Sequence, residues 1–95
     1  MSSYQITQHS FNQAKKLGVT IKPSTNKSKK IDVFDKSGKK LVSVGAVGYK
    51  DYGTYLKLDG KKKADERRRL YRIRHAKENN KTKFPRGYYA YNILW

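Results

Sequence analysis

The 95 residues contain no cysteine. That excludes disulfides, a cysteine nucleophile and the thiolate zinc sites common in small domains. Proline occurs only as Pro23 and Pro85, and tryptophan only as Trp95. His9 and His75 are too few to build a structural metal site without carboxylates, so neither a metal nor any other cofactor is expected. No apolar run approaches the roughly 18 residues of a membrane span. The opening Met1-Ser2-Ser3-Tyr4-Gln5 lacks the apolar segment of a signal peptide. Acidic residues are scarce too: seven Asp and Glu stand against 23 Lys and Arg, a formal charge of +16. Those carboxylates are scattered and mostly neighbour lysines or arginines, which lowers their pKa and makes them poor general acids. With no Ser-His-Asp arrangement in view either, the sequence predicts a protein that is not an enzyme.

What is present in abundance is positive charge. On a chain long enough for one small domain and a thin core, such a charge repels itself in the compact state. An anionic partner would offset it. Nucleic acid is the commonest, and acidic protein surfaces and anionic lipids are the others. The basic residues fall in two blocks. Lys15 to Lys40 holds lysines and no arginine, whereas Lys61 to Lys77 holds Arg67, Arg68, Arg69, Arg72 and Arg74, every arginine but Arg86. Lysine makes diffuse, hydrated contacts and arginine makes forked ones. The second block predicts the longest helix, opening after Asp59-Gly60 and ending near Lys77, with Asp65 and Glu66 early in it, where they suit the helix dipole. Its large apolar residues Leu70, Tyr71 and Ile73 are expected to face a sheet. Arg68, Arg69 and Arg72 are expected to be exposed and free for phosphate. Arg67 and Arg74, seven apart on one flank, are expected to pair with Asp51 or Asp59, or else to bind a ligand.

Elsewhere the patterns are local. Ser10 with Gln13 reads as a capping box for a short helix that Gly18 stops. Val19 to Lys22 is a short β-like run before Pro23. Ser24 to Lys30 reads as an exposed loop, either a solvated linker or a phosphate-binding loop. Lys30 to Phe34 and Lys40 to Val44 flank Asp35-Lys36-Ser37-Gly38, a turn with Gly38 left-handed. In Gly45 to Tyr55 three glycines alternate with Tyr49, Tyr52 and Tyr55. The glycines imply tight turns or close approach, and the rings suit either core packing or base stacking. The apolar end, Ile93-Leu94-Trp95, is expected to dock as a short helix or strand that closes the core, or to anchor in another subunit.

The predicted fold is therefore α+β: a small antiparallel sheet with its hairpin at 35–38, packed against the Arg-rich helix and sealed by a short C-terminal aromatic segment. Residues 1–28 are expected to form a polar leading segment with a short helix, and 29–95 the single domain. Candidate nucleic-acid contacts are Lys27, Lys29, Lys30, Lys61, Lys62, Lys63, Arg68, Arg69 and Arg72. Candidate partner contacts are Tyr88, Tyr91, Leu94 and Trp95, on a homo-oligomer mate or another protein.

The order Gly45…Gly48-Tyr49…Asp51-Tyr52, Arg67-Arg68…Tyr71…Arg74-His75 and Gly87-Tyr88…Leu94-Trp95 resembles a family of small basic proteins of unknown function encoded by large double-stranded DNA viruses of protists and algae. The likeness covers Lys29 to Trp95. It departs at Phe84-Pro85-Arg86-Gly87, where the family pattern has Thr-Ala-Gly. The resemblance implies a viral source and a virion component, present in host cytoplasm or nucleus during infection, and brings no catalytic residues. Two roles follow: a basic virion protein that binds nucleic acid without sequence specificity, or a minor capsid or scaffold protein that docks on acidic capsid surfaces or the inner membrane through its basic face and aromatic tail.

Overall fold

The computed structural model describes residues 4–95; the first three residues of the polar leading stretch lie outside the described residues. The sheet grows from the hairpin. Lys29–Phe34 (β2) and Lys40–Ala46 (β3) pair antiparallel across it. The Asp35 carboxylate accepts the N–H groups of Ser37 at 2.9 Å and Lys39 at 3.0 Å, and Gly38 turns the chain at φ +88°. That conformation is cheap only without a Cβ. Thr20–Pro23 (β1) pairs antiparallel with the free side of β2, giving three strands in the order β1-β2-β3. Pro23 ends an edge strand, where a missing N–H is tolerated.

Burial follows from the central position of β2. Ile31 and Val33 project from one face and join Ile21 and Val44 in the core. That core is covered by Ala14 of the first helix, Gln8–Leu17 (α1), and by Tyr89, Ile93 and Leu94 near the other end of the chain. Pro85–Tyr89 (α4) starts with proline in its first turn, where the missing N–H has no partner to lose, and continues into a π-helical turn over Ala90–Leu94. The two covers are stitched together: Ser10 Oγ donates to the Ile93 carbonyl at 3.0 Å and Gln13 Nε2 to that of Asn92 at 3.1 Å. The apolar tail thus closes the protein's own core.

Several expectations are corrected. Ser10 is not the cap of α1; Thr7 is, accepting from Ser10 N at 3.3 Å, while Gly18 ends the helix left-handed as predicted. Residues 4–28 are not an appendage to a domain that starts at 29. Ile21 and Ala14 belong to the core, and Tyr4 and Ile6 pack against it. The stretch 24–30 is only partly an exposed loop, since Ser24 is buried and Lys29 and Lys30 are already in β2.

The glycine-tyrosine stretch contains a helix, Tyr52–Asp59 (α2), capped by the Asp51 carboxylate, which accepts from Thr54 N at 2.9 Å. A Cβ on Gly53 would collide with the Thr7 side chain, so the glycine marks a close approach rather than a turn. The Arg-rich helix, Lys61–Arg74 (α3), packs mainly on α2 and the aromatic chain end. The sheet's cover is α1 and the C-terminal segment instead. Leu70 and Ile73 consequently stay exposed, at 40% and 65%, and Ala64 is the buried residue of α3.

Candidate polyanion-binding surface

Helix α3 opens on Lys61, Lys62 and Lys63 with no acidic residue in its first turn and no side-chain cap. Asp65 lies one turn further in than the dipole argument needs. Positive charge at a helix N-terminus opposes the dipole, so this placement works locally against stability. Lys62, Lys63 and Arg69 are exposed. Lys61 is exposed as well, and its Nζ meets Asp65 Oδ2 at 2.6 Å. Of the predicted phosphate contacts, these four keep solvent access on one helix.

Two predicted arginines are less open. Arg68 is half-buried, with its guanidinium 4.1 Å above the Tyr52 ring and Nη2 3.4 Å from Asp65 Oδ1. Tyr52 Oη donates to the same Asp65 oxygen at 2.8 Å, so Arg68 fastens α3 to α2. Arg72 lies 4.9 Å from the Tyr91 ring centroid, its Nε buried without a hydrogen-bond partner among the described residues. Both face inward because α3 rests on rings of α2 and the tail rather than on aliphatic strands.

Lys30 is corrected most sharply. It is 3% exposed, and its Nζ donates to Asp51 Oδ2 at 2.9 Å and to the Tyr49 carbonyl. Tyr4 Oη donates to the same Asp51 oxygen at 2.6 Å. Burial opposes ionisation of Asp51, but the Lys30 charge and these hydrogen bonds outweigh it and hold the carboxyl below its usual range. Burial and the Asp51 bond push the Tyr4 hydroxyl far up. Asp51 is therefore not the partner of Arg67 or Arg74, and Asp59 pairs with Lys50 at 3.2 Å instead. Arg67 and Arg74 are exposed, not partly desolvated. Lys27 is exposed in the β1–β2 turn, and Lys29 is half-buried at the start of β2, beside Ala46 of β3. These two belong to the sheet and its turn, not to α3.

Among the predicted partner contacts, Leu94 is 3% exposed and spent in the core, while Tyr88, Tyr91 and Trp95 are half-buried. Trp95 stacks on Tyr71 with centroids 4.5 Å apart and planes within 9°, and Tyr71 stacks in turn on His75 at 4.3 Å. Burial and the Glu78 charge push the Tyr71 hydroxyl up to about 12. Beside this stack runs a cleft of about 360 Å³, lined by Tyr49, Lys50, Tyr55, Arg67, Arg74 and Trp95 among others. Tyr55 stands 6.2 Å from Trp95, tilted by 46°, with Arg67 5.7 Å from its centroid. Arg67 and Arg74 share one flank of α3, as their seven-residue spacing predicts, but that flank opens onto a cleft with Tyr55, which α2 brings into place and which the spacing within α3 does not reveal.

Chemically, the surface offers cations and aromatic faces. Among the described residues no group of three or more His, Asp and Glu could hold a metal ion, and no helix is long and apolar enough to cross a membrane. No protein-family model, curated protein or solved structure matches the chain.

Proposed function

We propose that this is a non-enzymatic protein that binds nucleic acid through its phosphates, without sequence specificity. The observation that carries the reading is the first turn of α3. Three lysines stand where the helix dipole disfavours them, and among the described residues only Lys61 has a carboxylate partner. An anion at that end would be met by the lysines and the dipole together. Arg69 extends the cationic surface along the same helix. In the viral setting that the resemblance implies, the bound polyanion is the packaged genome. Attachment to a capsid through the aromatic tail is less well supported, since Ile93 and Leu94 are already buried within the protein.

The test is an anisotropy titration against labelled duplexes of unrelated sequence. Binding at micromolar affinity or tighter is expected in about 50 mM salt, weakening steeply as salt rises because bound counterions are released. Reversing charge at Lys62, Lys63 and Arg69 together should lower the salt slope by roughly three. Absence of binding at low salt would sink the reading.

A further inference from the structure

The cleft beside Trp95 offers chemistry that a duplex backbone does not use. Its volume, about 360 Å³, is at the low end for small-ligand sites. One base with its sugar fits such a space, and a duplex does not. Tyr49 at its mouth is 76% exposed, the most solvated of the large apolar side chains among the described residues. Tyr55 and Trp95 supply two more rings, at angles that leave them unstacked on each other. Arg67 and Arg74 form no ion pair among the described residues, because Asp51 is held by Lys30 and Asp59 by Lys50.

We propose that this cleft takes an unpaired base of a single-stranded polynucleotide, the base lying against Tyr49 and Tyr55 beside Trp95 and the flanking phosphates meeting Arg67 and Arg74. The proposal rests on the nucleic-acid reading above. Every base has a π face, so ring stacking binds single strands with little regard to sequence, and it requires bases that are not already stacked in a duplex. An acidic peptide would engage the arginines and leave the rings in water. The rings therefore favour the nucleotide.

Trp95 is the sole tryptophan, so its emission reports on the cleft directly. The full chain is titrated with oligothymidylate of about ten nucleotides, an abasic strand of the same length, a duplex, and thymidine monophosphate. Oligothymidylate should quench Trp95 and bind about tenfold tighter than the abasic strand, within the range of one base–ring stack. Tyr49→Ala should abolish that difference while duplex affinity holds. If its far-UV circular dichroism changes, Arg74→Gln serves as the second variant, weakening the base-bearing strand more than the duplex. Equal affinity for base-bearing and abasic strands with unmoved emission overturns the cleft and leaves phosphate binding standing. Loss of all binding, duplex included, overturns the nucleic-acid reading itself. Quenching by the free monophosphate as strong as by the strand overturns the polynucleotide assignment in favour of a free-nucleotide site.

Discussion

Lys30 holds its ammonium 2.9 Å from the Asp51 carboxylate with almost no exposure, while Lys63 stands in solvent on the first turn of α3. The same side chain does opposite work at the two positions. Replacing Lys30 with Met leaves Asp51 charged, buried and without its cation, which should cost about 3 kcal/mol and leave duplex affinity nearly unchanged. Lys63→Met should hold stability and lower the salt slope of DNA binding by about one. Urea denaturation and anisotropy on both variants check this, and a Lys30 variant as stable as the parent would refute it. No property of Ser28-Lys29-Lys30 announces the difference. The partner is twenty-one residues on, at a helix cap that the local pattern did not reveal.

Within the sheet, Asp32 ties three segments together. It accepts from Ser24 Oγ at 2.7 Å and Thr25 N at 3.2 Å in the β1–β2 turn, and from Ser43 Oγ at 2.6 Å on β3. Burial alone would raise its pKa, but these bonds and the nearby Lys40 pull it to about 2. A carboxyl depressed on folding stabilises the fold above its unfolded pKa and loses that contribution as pH falls through the folded one. The loss should run from about pH 5 to about pH 1 and amount to about 2 kcal/mol. Asp32→Asn should be weaker than the parent at about pH 5, with most of the difference gone near about pH 2. Parallel acid limbs in urea midpoints would exclude the tie. The sheet itself was legible because its turn chemistry is contained in consecutive residues, Asp35 to Gly38, and because Ile31, Val33 and Val44 alternate. Helix α2 was not. A glycine inside eight residues weakens a helix, and the reason it is there, the packed Thr7, lies in another element. The Arg-rich stretch was legible as a helix but not in its facing. Leu70 and Ile73 look like the inner side, yet α3 is held by Arg68, Tyr71 and Arg72 against rings, a preference that hydrophobic periodicity does not encode. That is also why, of the candidate contacts on α3, only Lys61, Lys62, Lys63 and Arg69 are exposed.

Across the whole molecule, +16 is spread over 6198 Å² of accessible surface. The mean spacing of net charge is then about 20 Å, beyond the ~8 Å Debye length of physiological salt and within the ~30 Å at 0.01 M. Self-repulsion should therefore appear only in dilute buffer. Raising salt from about 0.01 M to about 0.15 M should lift the melting temperature by about 5 °C, equivalent to roughly 1 kcal/mol in a domain this size, while DNA affinity falls. A flat melting temperature in a calorimetric salt series would show that the repulsion is locally compensated. The contact between Ser10 and Ile93, eighty-three residues apart, also shapes the route to this state. Chain closure over that span costs entropy before the contact returns anything, so folding should be slow relative to helical domains of equal length. A nascent chain that has reached Asn80 carries the finished sheet sequence and α1 but lacks Tyr89, Ile93 and Leu94, the other half of the cover. Until Ile93 emerges, Ile31, Val33 and Val44 lack half of their cover and stay open to water and to other chains.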